Sequence, residues 1–530
     1  MAKFVTAQEA VSHIPDNATL VIGGFCTYAS PESLIEALAE RYDQSQHPKN
    51  IMIISGITPG DKTESMEPGK GYNAGLNRLR ADGLIGGATV GLSDARAIAY
   101  MIQDNKIAGY MLPMGILVNL FRATAGGAPG ILTKVGLGTF CDPRIDGCAG
   151  NEKARERGSI VELMDIGGEE YLLYKTYKPD VCFIRGTYAD EDGNVSVEDE
   201  VLIGAELDMA VATHNKGGIV IVQVGKIVQR GSIHPKNVRI HNIFVDYVVV
   251  ASEPWHQSQS FLIPDYRPEL TGNVKPVLEA IAPMKLDERK VIARRSAMEL
   301  DKGSVVNFGV GMPAGVASIA AEEGFLSDFT TTVESGPIGG VVLDGVFFPA
   351  TQNAEAIYSQ PDLTNMYGGG LLDMTFLGAA EVDAKGNVNV SKFAGRSAGA
   401  GGFIDISQNS KKVLFIAIFT AGKPKPDFSI TDEGLKINAD GNALKFVKEV
   451  QQVTFSGEQS VKSGQIVKFI TERAVFELTA EGLLLTEIAP GVDLDKDILA
   501  KMEFAPIISP TLKTMDIRLF KDERMGLSLK

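Results

Sequence analysis

Short apolar runs alternate with segments of helical periodicity along most of the chain. Residues 16–25 contain a continuous apolar run and a glycine turn, and they lead into an amphipathic helical segment at 31–38, which Ser30 and Pro31 open. Residues 301–311 lead into 312–320 in the same way. Continuous apolar strands that alternate with helices are typical of open α/β folds with mainly parallel sheets. The pattern therefore predicts an α/β fold with helices flanking the sheets.

Two further pairs of segments correspond in the same order along the chain. Residues 185–195 and 377–388 each indicate a strand, a polar turn and a second strand. Residues 219–224 and 413–418 are continuously apolar, as expected for strands buried on both faces. Because three correspondences occur in one order, we predict two duplicated open α/β domains.

The boundary between these domains is predicted from a stretch rich in proline and polar residues that runs from Ile263 to Pro283. It precedes a helical pattern that begins around Asp287. We therefore predict an N-terminal domain at 1–275, a linker at 276–290 and a C-terminal domain at 291–530.

Composition narrows the class of protein. With 530 residues, 44% of them apolar, the chain can build several cores, and no apolar run reaches 18 residues. The amino terminus lacks the apolar core of a signal peptide, so we expect a cytoplasmic enzyme. The four cysteines have no Cys-x-x-Cys spacing, which indicates reduced thiols and no metal site.

The net charge of −15 argues against nucleic acid or an anionic membrane as the main partner, because both require a basic surface. A small anion remains possible if backbone N–H groups and a few cations hold it locally. The 57 glycines occur in short clusters, which favours close approach of the backbone to a ligand.

One glutamate occupies a position typical of a reactive group. Glu334 follows the β-branched run 331–333 and precedes Gly336 and Pro337, so we expect it at the rim of a sheet, facing the first domain. A partly solvated glutamate is ionised at pH 7 by roughly 500 to 1, so no separate base is needed to make it a nucleophile. The alternatives are a helix-capping partner or a surface charge.

Three glycine clusters are candidates for binding anionic groups. The segment Gly309 to Pro313 follows a strand and opens a helix, where free N–H groups bind phosphate or carboxylate. Clusters around Gly369 and Gly401 could present an N–H to charge that develops in a reaction. The alternative for each cluster is a tight turn. The string at 56–63 has the wrong spacing for a phosphate-binding loop, which excludes an NTPase.

In combination, these segments resemble the family I coenzyme A transferases, particularly single-chain members in which the two usual subunits are fused. The resemblance spans nearly the whole chain. Its most specific motifs are residues 332–340, 309–313, 367–373, 386–393 and 399–402.

The resemblance implies that Glu334 attacks an acyl-CoA and that a glutamyl-CoA thioester then forms in a ping-pong scheme. It implies that Gly309, Val310, Gly311, Met312 and Pro313 contact CoA, and Gly369 is assigned to the same set. It further implies that the N–H of Gly401 helps to hold the oxyanion. CoA would be a substrate, with no permanently bound cofactor and no metal.

Two positions depart from the family pattern. Ser335 stands where many relatives have asparagine, and Met114 stands in a turn where many have glutamine. If that glutamine is an oxyanion donor, methionine cannot replace it. A neighbour such as Asn119 then takes over, or the rate is lower, or the substrate differs.

The expected partners are a short-chain acyl-CoA and a short-chain carboxylate, with acetyl-CoA and acetoacetate as the first expectation by resemblance. The alternatives are an acyl-CoA hydrolase on the same framework and a non-catalytic ligand sensor. We expect a homodimer or homotetramer.

Overall fold

The computed structural model describes residues 2–277, 283–393 and 396–529, and it contains two large sheets. The first sheet has eight strands, all parallel, with the spatial order β1-β8-β7-β6-β2-β3-β4-β5. In chain order the strands are β1 (Lys3–Phe4), β2 (Thr19–Ile22), β3 (Ile51–Ile57), β4 (Ile85–Leu92), β5 (Ala108–Met111), β6 (Val181–Arg185), β7 (Ile219–Val224) and β8 (Tyr247–Val250).

Six α-helices accompany this sheet. They are α1 (Ala7–Ser12), α2 (Glu32–Ser45), α3 (Arg96–Gln103), α4 (Met114–Ala125), α5 (Glu152–Arg157) and α6 (Glu206–Asn215). The segment at 31–38 is helical as predicted, but Ser30 does not cap it. The Ser30 hydroxyl donates to Glu32 Oε1 (2.6 Å), and the residue at the N-cap is Pro31.

The second sheet has ten strands with the spatial order β12-β11-β10-β9-β13-β14-β15-β16-β17-β18, and it mixes parallel and antiparallel pairs. In chain order they are β9 (Val305–Phe308), β10 (Thr330–Thr332), β11 (Pro337–Ile338), β12 (Ala356–Ile357), β13 (Met374–Gly378), β14 (Lys412–Ile416), β15 (Ile466–Ile470), β16 (Ala474–Thr479), β17 (Gly482–Ile488) and β18 (Ile507–Thr514). Its helices are α7 (Glu288–Ala297), α8 (Ala314–Glu323), α9 (Gln360–Gly368), α10 (Phe403–Asn409) and α11 (Gly457–Ser463).

Smaller ribbons decorate both sheets. Their strands are Gly130–Thr133, Val161–Ile166, Glu169–Lys175, Tyr188–Asp190, Lys226–Val228, Val341–Val342, Thr351–Gln352, Glu381–Val382, Val388–Asn389, Lys392–Phe393, Arg396–Ser397, Thr420–Ala421, Asp427–Thr431, Gly434–Ala439 and Ala443–Leu444.

The predicted duplication is visible in the strand order and in the turns. In the first sheet β2 lies between β3 and β6, with β7 next, and in the second sheet β9 lies between β10 and β13, with β14 next. The two polar turns are also equivalent. Asp190 accepts hydrogen bonds from the backbone and side chain of Asn194, and Asp383 accepts the same set from Asn387.

Apolar side chains of the second sheet alternate between two cores. Along β14, Leu414 and Ile416 pack in a cluster with α7 and α8, whereas Val413 and Phe415 pack in a cluster with α9 and α10. This period of two is expected for a strand that is buried on both faces. Helices therefore cover both faces, as the sequence pattern predicts.

The segment predicted as a linker, 276–290, includes residues 278–282, which lie outside the described part of the chain. Helix α7 begins at Glu288, and the Asp287 side chain caps it by accepting from two backbone N–H groups. The helical pattern predicted around Asp287 is therefore present. The domain limits themselves stay a prediction.

Candidate active site

A cavity of about 520 Å³ lies between the two halves of the molecule, and both halves contribute to its wall. From the first half come Cys26, Thr27, Ile57, Gly60, Asp61, Lys62, Leu92, Asp94 and Leu262. From the second half come Gly309, Val310, Glu334, Gly345, Val346, Phe348, Leu377, Gly378, Val390, Ala400, Gly401, Gly402, Phe403 and Ile406. As predicted, Glu334 faces residues of the first half.

Glu334 lies in a tight turn directly after β10. The N–H of Gly336 donates to the Val333 carbonyl (2.9 Å), and Gly336 has a φ of +130°. A Cβ at Gly336 would collide with the carbonyl oxygen of Tyr358, so only glycine fits this turn. Pro337 does not simply end the strand, because it begins β11, which runs antiparallel to β10.

The expectation that the Glu334 carboxyl has an ordinary pKa needs correction. Glu334 is half-buried in the cavity wall, and desolvation raises the pKa of its carboxyl above the usual range. The ionised fraction at pH 7 is therefore lower than an ordinary glutamate would show. Burial in the folded cavity causes the difference, and the local sequence carries no sign of it.

Buried hydrogen bonds hold the strand that presents Glu334. The hydroxyl of Tyr367 donates to Thr332 Oγ1 (2.9 Å), and the Asn307 side chain donates to the Thr332 carbonyl (3.1 Å). All three side chains are buried. Since an unmade hydrogen bond is costly in such an environment, these contacts fix the end of β10 and hence the position of Glu334.

The loop at 399–402 joins the two halves through its backbone. The N–H of Gly401 donates to the Gly91 carbonyl at the end of β4 (3.0 Å), and the Gly401 carbonyl accepts from the N–H of Met114 (2.9 Å). Gly399 has a φ of +88°, and a Cβ there would collide with the Gly91 carbonyl oxygen. The glycines thus permit a close backbone pairing across the interface.

This pairing bears on the predicted oxyanion donor. Gly401 lines the cavity, but its N–H is already hydrogen-bonded to Gly91. Gly402 lies closer to Glu334, because a Cβ there would be 3.1 Å from Glu334 Cγ. Within the described residues, the N–H of Gly402 has no acceptor.

The segment predicted to contact CoA borders two cavities. Gly309 and Val310 line the main cavity, whereas Gly311 and Met312 line a neighbouring cavity of about 250 Å³, together with Arg289. Pro313, the last residue of the segment, is the N-cap of α8. In the described part of the chain, the N–H groups at 310, 311 and 312 have no protein acceptor, so they are available to an anion.

Two residues singled out from the sequence lie elsewhere. Gly369 ends α9, donates its N–H to the Asn365 carbonyl (2.9 Å) and borders neither of the two cavities. Asn119 donates to the Gly115 carbonyl (2.8 Å) and to Thr364 Oγ1 (3.0 Å), so it does not take over the role of the missing glutamine. Met114 is fully buried.

Comparison with known proteins decides the family. Residues 4–251 match the family model described as coenzyme A transferase. Over 527 residues the chain is 43% identical to acetate CoA-transferase YdiF of Escherichia coli K12, covering 99% of this chain and 96% of that protein. The chain belongs to the coenzyme A transferase family.

Two further relatives cover the chain equally fully. Caffeate CoA-transferase of Acetobacterium woodii is 42% identical over 536 residues, which cover 99% of each chain. The crystal structure of YdiF from E. coli O157:H7, described as a thioester complex with CoA, superposes with a TM-score of 0.91 at 42% identity. It covers all of this chain and 98% of that one. The chain is thus a CoA-transferase that moves CoA between acyl-CoA and carboxylate substrates.

The residues that the first half of this CoA-transferase contributes to the main cavity, among them Cys26, Lys62 and Asp94, were not predicted from the sequence. Lys62 Nζ lies 2.9 Å from Asp94 Oδ1, and burial together with Asp94 raises the pKa of the Cys26 thiol. Lys62 follows β3, Asp94 follows β4 and Cys26 follows β2. The carboxyl ends of these three adjacent parallel strands lie at one edge of the sheet. The glycine-containing segment 56–63, at the end of β3, could have been recognised as a candidate part of the site. Only the order of the strands shows that it lies beside the segments that contain Cys26 and Asp94.

No helix in the described ranges 2–277, 283–393 and 396–529 is long and apolar enough to span a membrane.

Proposed function

We propose that the chain transfers CoA from a short-chain acyl-CoA to a short-chain carboxylate through a glutamyl-CoA thioester on Glu334. The observation that carries the proposal is the position of this glutamate. It follows a strand whose end is fixed by buried hydrogen bonds, and it faces a cavity between the halves where its carboxyl is desolvated. Desolvation makes a carboxylate a better nucleophile, provided that the substrate is aligned with it.

The proposed steps balance as follows. A Glu334 carboxylate oxygen attacks the thioester carbonyl, the C–S bond breaks, and CoA leaves as a thiolate, which gives an acyl-glutamyl anhydride. The thiolate then attacks the glutamyl carbonyl carbon, and the acyl group leaves as a carboxylate. The incoming carboxylate attacks the glutamyl-CoA thioester, and the same two steps run in reverse with the new acyl group.

Each tetrahedral intermediate carries a negative oxygen that needs a donor. The prediction assigned this role to Gly401, but the hydrogen bond from Gly401 to Gly91 supports its neighbour Gly402 instead. Gly402 is next to Glu334 and has an unpaired N–H within the described residues. One such donor contributes about 2.7–4 kcal/mol to the transition state.

We place CoA along the segment Gly309 to Pro313. The free N–H groups at 310–312 and the cation of Arg289 suit a phosphate at the neighbouring cavity, while Gly309 and Val310 direct the thioester end toward Glu334. Gly369 is not retained in the binding set, because it borders neither cavity.

The acyl group is proposed to be small, with acetate and acetoacetate as the first acids to test. The wall of the main cavity is largely apolar, with Leu92, Phe348 and Leu377 among its members. The two relatives are named for acids of very different size, acetate and caffeate. The size of the acid that this chain accepts therefore has to be measured. Two acids that differ by one methylene group differ in transition-state binding by only about 1–3 kcal/mol in an apolar pocket. A cytoplasmic homodimer or homotetramer stays our expectation.

The test is to incubate the protein with acetyl-CoA without an acceptor and to measure intact mass, followed by peptide mapping. We expect a gain equal to CoA less water, removed by hydroxylamine and located at Glu334. Glu334→Gln and Glu334→Ala should form no adduct and keep less than about a thousandth of the turnover. Glu355→Gln, which changes an exposed glutamate outside the main cavity, is the matched control.

An adduct on another residue, or turnover retained by Glu334→Ala, would overturn the proposal. CoA release that proceeds without an acceptor and is indifferent to added acetate would favour the hydrolase.

A further inference from the structure

Helix α4 of the first half begins without a side-chain cap of its own. Its N-cap is Pro113, which makes no side-chain capping hydrogen bond. The missing acceptor comes from the second half, because Asp405 Oδ2 accepts from the N–H of Gly115 (2.8 Å) in the first turn of α4. Asp405 is only 4% exposed and lies in the first turn of α10. A carboxylate at a helix N-terminus satisfies its free donors and complements its dipole.

The fit between this carboxylate and α4 depends on a glycine. A Cβ at Gly115 would lie 2.6 Å from Asp405 Oδ1 and 2.9 Å from the Cβ of Thr364. Both distances are too short for a real side chain. Position 115 therefore requires glycine for Asp405 to cap α4.

The same contact leads directly to the reacting glutamate. Met114 precedes Gly115, and its Cε is 3.4 Å from the Cβ position of Gly402, which in turn is 3.1 Å from Glu334 Cγ. Gly402 is also the residue from which α10, the helix of Asp405, begins. Movement of α4 against α10 would thus change the wall behind Glu334.

We propose that Asp405 is a positioning residue of the transfer reaction. From the second half it caps α4 of the first half, and it thereby holds Met114 and Gly402 against Glu334. The inference rests on the proposed role of Glu334 as the nucleophile.

The charges around Asp405 give this contact a dependence on pH. Burial and, second, the negative charge of Glu334 raise the pKa of Asp405 to about 7, while the N–H groups of Gly115 and Ile116 act in the opposite direction. Tyr174 faces Asp405 as well, and its hydroxyl donates to the Val135 carbonyl (2.9 Å).

The remaining titratable groups on the packed helices have other partners. On α4 the guanidinium of Arg122 is paired with Asp208 and with Asp362 of α9. On α9 the hydroxyl of Tyr367 donates to Thr332. Strand β13, which also packs on α10, carries no titratable side chain.

The negative charges of Glu334 and Asp405 repel each other, and this repulsion changes during the reaction. When Glu334 becomes a neutral anhydride or thioester, the repulsion on Asp405 is removed, and by reciprocity an ionised Asp405 favours the thioester over the free carboxylate. As pH rises through about 7, Asp405 ionises, the cap on α4 strengthens, and the yield of thioester should rise.

The test compares Asp405→Asn, Asp405→Ala and Gly115→Ala with the unmodified protein. Thioester yield and the rate of acetate release from acetyl-CoA are measured without an acceptor between pH 5.5 and 9. Asp405→Ala should lower the rate of thioester formation by about 10- to 100-fold, with KM for acetyl-CoA changed less than about threefold. Gly115→Ala should reproduce this loss although Asp405 is present.

Asp405→Asn keeps the shape but cannot ionise, so the rise in thioester yield around pH 7 should be absent. Gln408→Ala is the matched control. Gln408 lies on the same helix and also contacts the first half, through the N–H of Gly136 and the Lys134 carbonyl, but it borders no part of the main cavity. Its pH profile should follow that of the unmodified protein.

If Asp405→Asn retains both the rate and the pH profile of the unmodified protein, the proposal is wrong. If Asp405→Ala does not fold, as judged by circular dichroism, Asp405→Asn and Gly115→Ala still decide the matter. Failure of the proposed function looks different, because the unmodified protein would then form no adduct at Glu334.

Discussion

Replacing Glu299 by glutamine should destabilise the second half of the molecule strongly at pH 7. Glu299 follows α7, and its carboxylate lies within 2.8–3.0 Å of nitrogens of Arg295, Lys412 and Lys468. These cations outweigh the cost of burial and lower the pKa of Glu299 from 4.5 to about 2. The carboxylate therefore ties α7 to β14 and β15.

The size of the effect follows from the pKa. The gap between 4.5 and about 2 corresponds to about 3–4 kcal/mol of unfolding free energy, at roughly 1.4 kcal/mol for each pH unit. Because the pKa is lowered on folding, this contribution is complete above about pH 4.5 and is lost as the pH falls toward 2. The difference between Glu299→Gln and the unmodified protein should therefore shrink at low pH.

The assay is urea unfolding followed by circular dichroism at pH 7, 5 and 3. Glu477→Gln is the control, because Glu477 also pairs with Lys468 (3.1 Å) but its side chain is 41% exposed, against 10% for Glu299, so its loss should cost less than about 1 kcal/mol. Equal losses for the two variants, or a loss for Glu299→Gln that does not change with pH, would refute the reasoning.

Three further predictions concern the site. In the Asp405→Asn background, the rate of adduct formation should fall on acidification at a pH above the range of an ordinary glutamate, because burial raises the pKa of Glu334; rapid-quench measurement of acetate release checks this. Gly399→Ala should reduce turnover at least about 10-fold by disrupting the backbone pairing of the halves. Gly368→Ala, where a Cβ meets nothing within 4 Å, should be neutral in the same assay. Tyr367→Phe should lower the free energy of unfolding by about 1–2 kcal/mol in urea titrations, because a buried hydroxyl bond is lost.

Local patterns in the sequence predicted much of the fold. The apolar run at 219–224 coincides with β7, and the run predicted at 413–418 is the strand 412–416, shifted by one or two residues. Such runs are decided by periodicity within the segment itself, so one chain suffices to find them. The order of strands within each sheet depends on distant pairing and did not follow from these patterns.

The site was predictable only where its chemistry is local. Glu334 was found because its strand and turn are contiguous in sequence. The hydrogen bond that occupies the N–H of Gly401 and the capping role of Asp405 both arise from contacts with the opposite half. The desolvation of Glu334 arises from the folded cavity around it. No pattern near these residues records a partner hundreds of positions away.

The backbone pairing of Gly91 with the 399–402 loop limits how the molecule can be rebuilt by recombination. Because the contact is main chain to main chain, side-chain complementarity between two unrelated halves would not restore it. A chimera would need glycine at positions 115 and 399 together, since each of them makes room for an atom of the other half. To change acyl specificity, side chains of the cavity wall should therefore be replaced within one half, and the main-chain contact between Gly91 and the 399–402 loop should be left intact, rather than one half being exchanged as a whole.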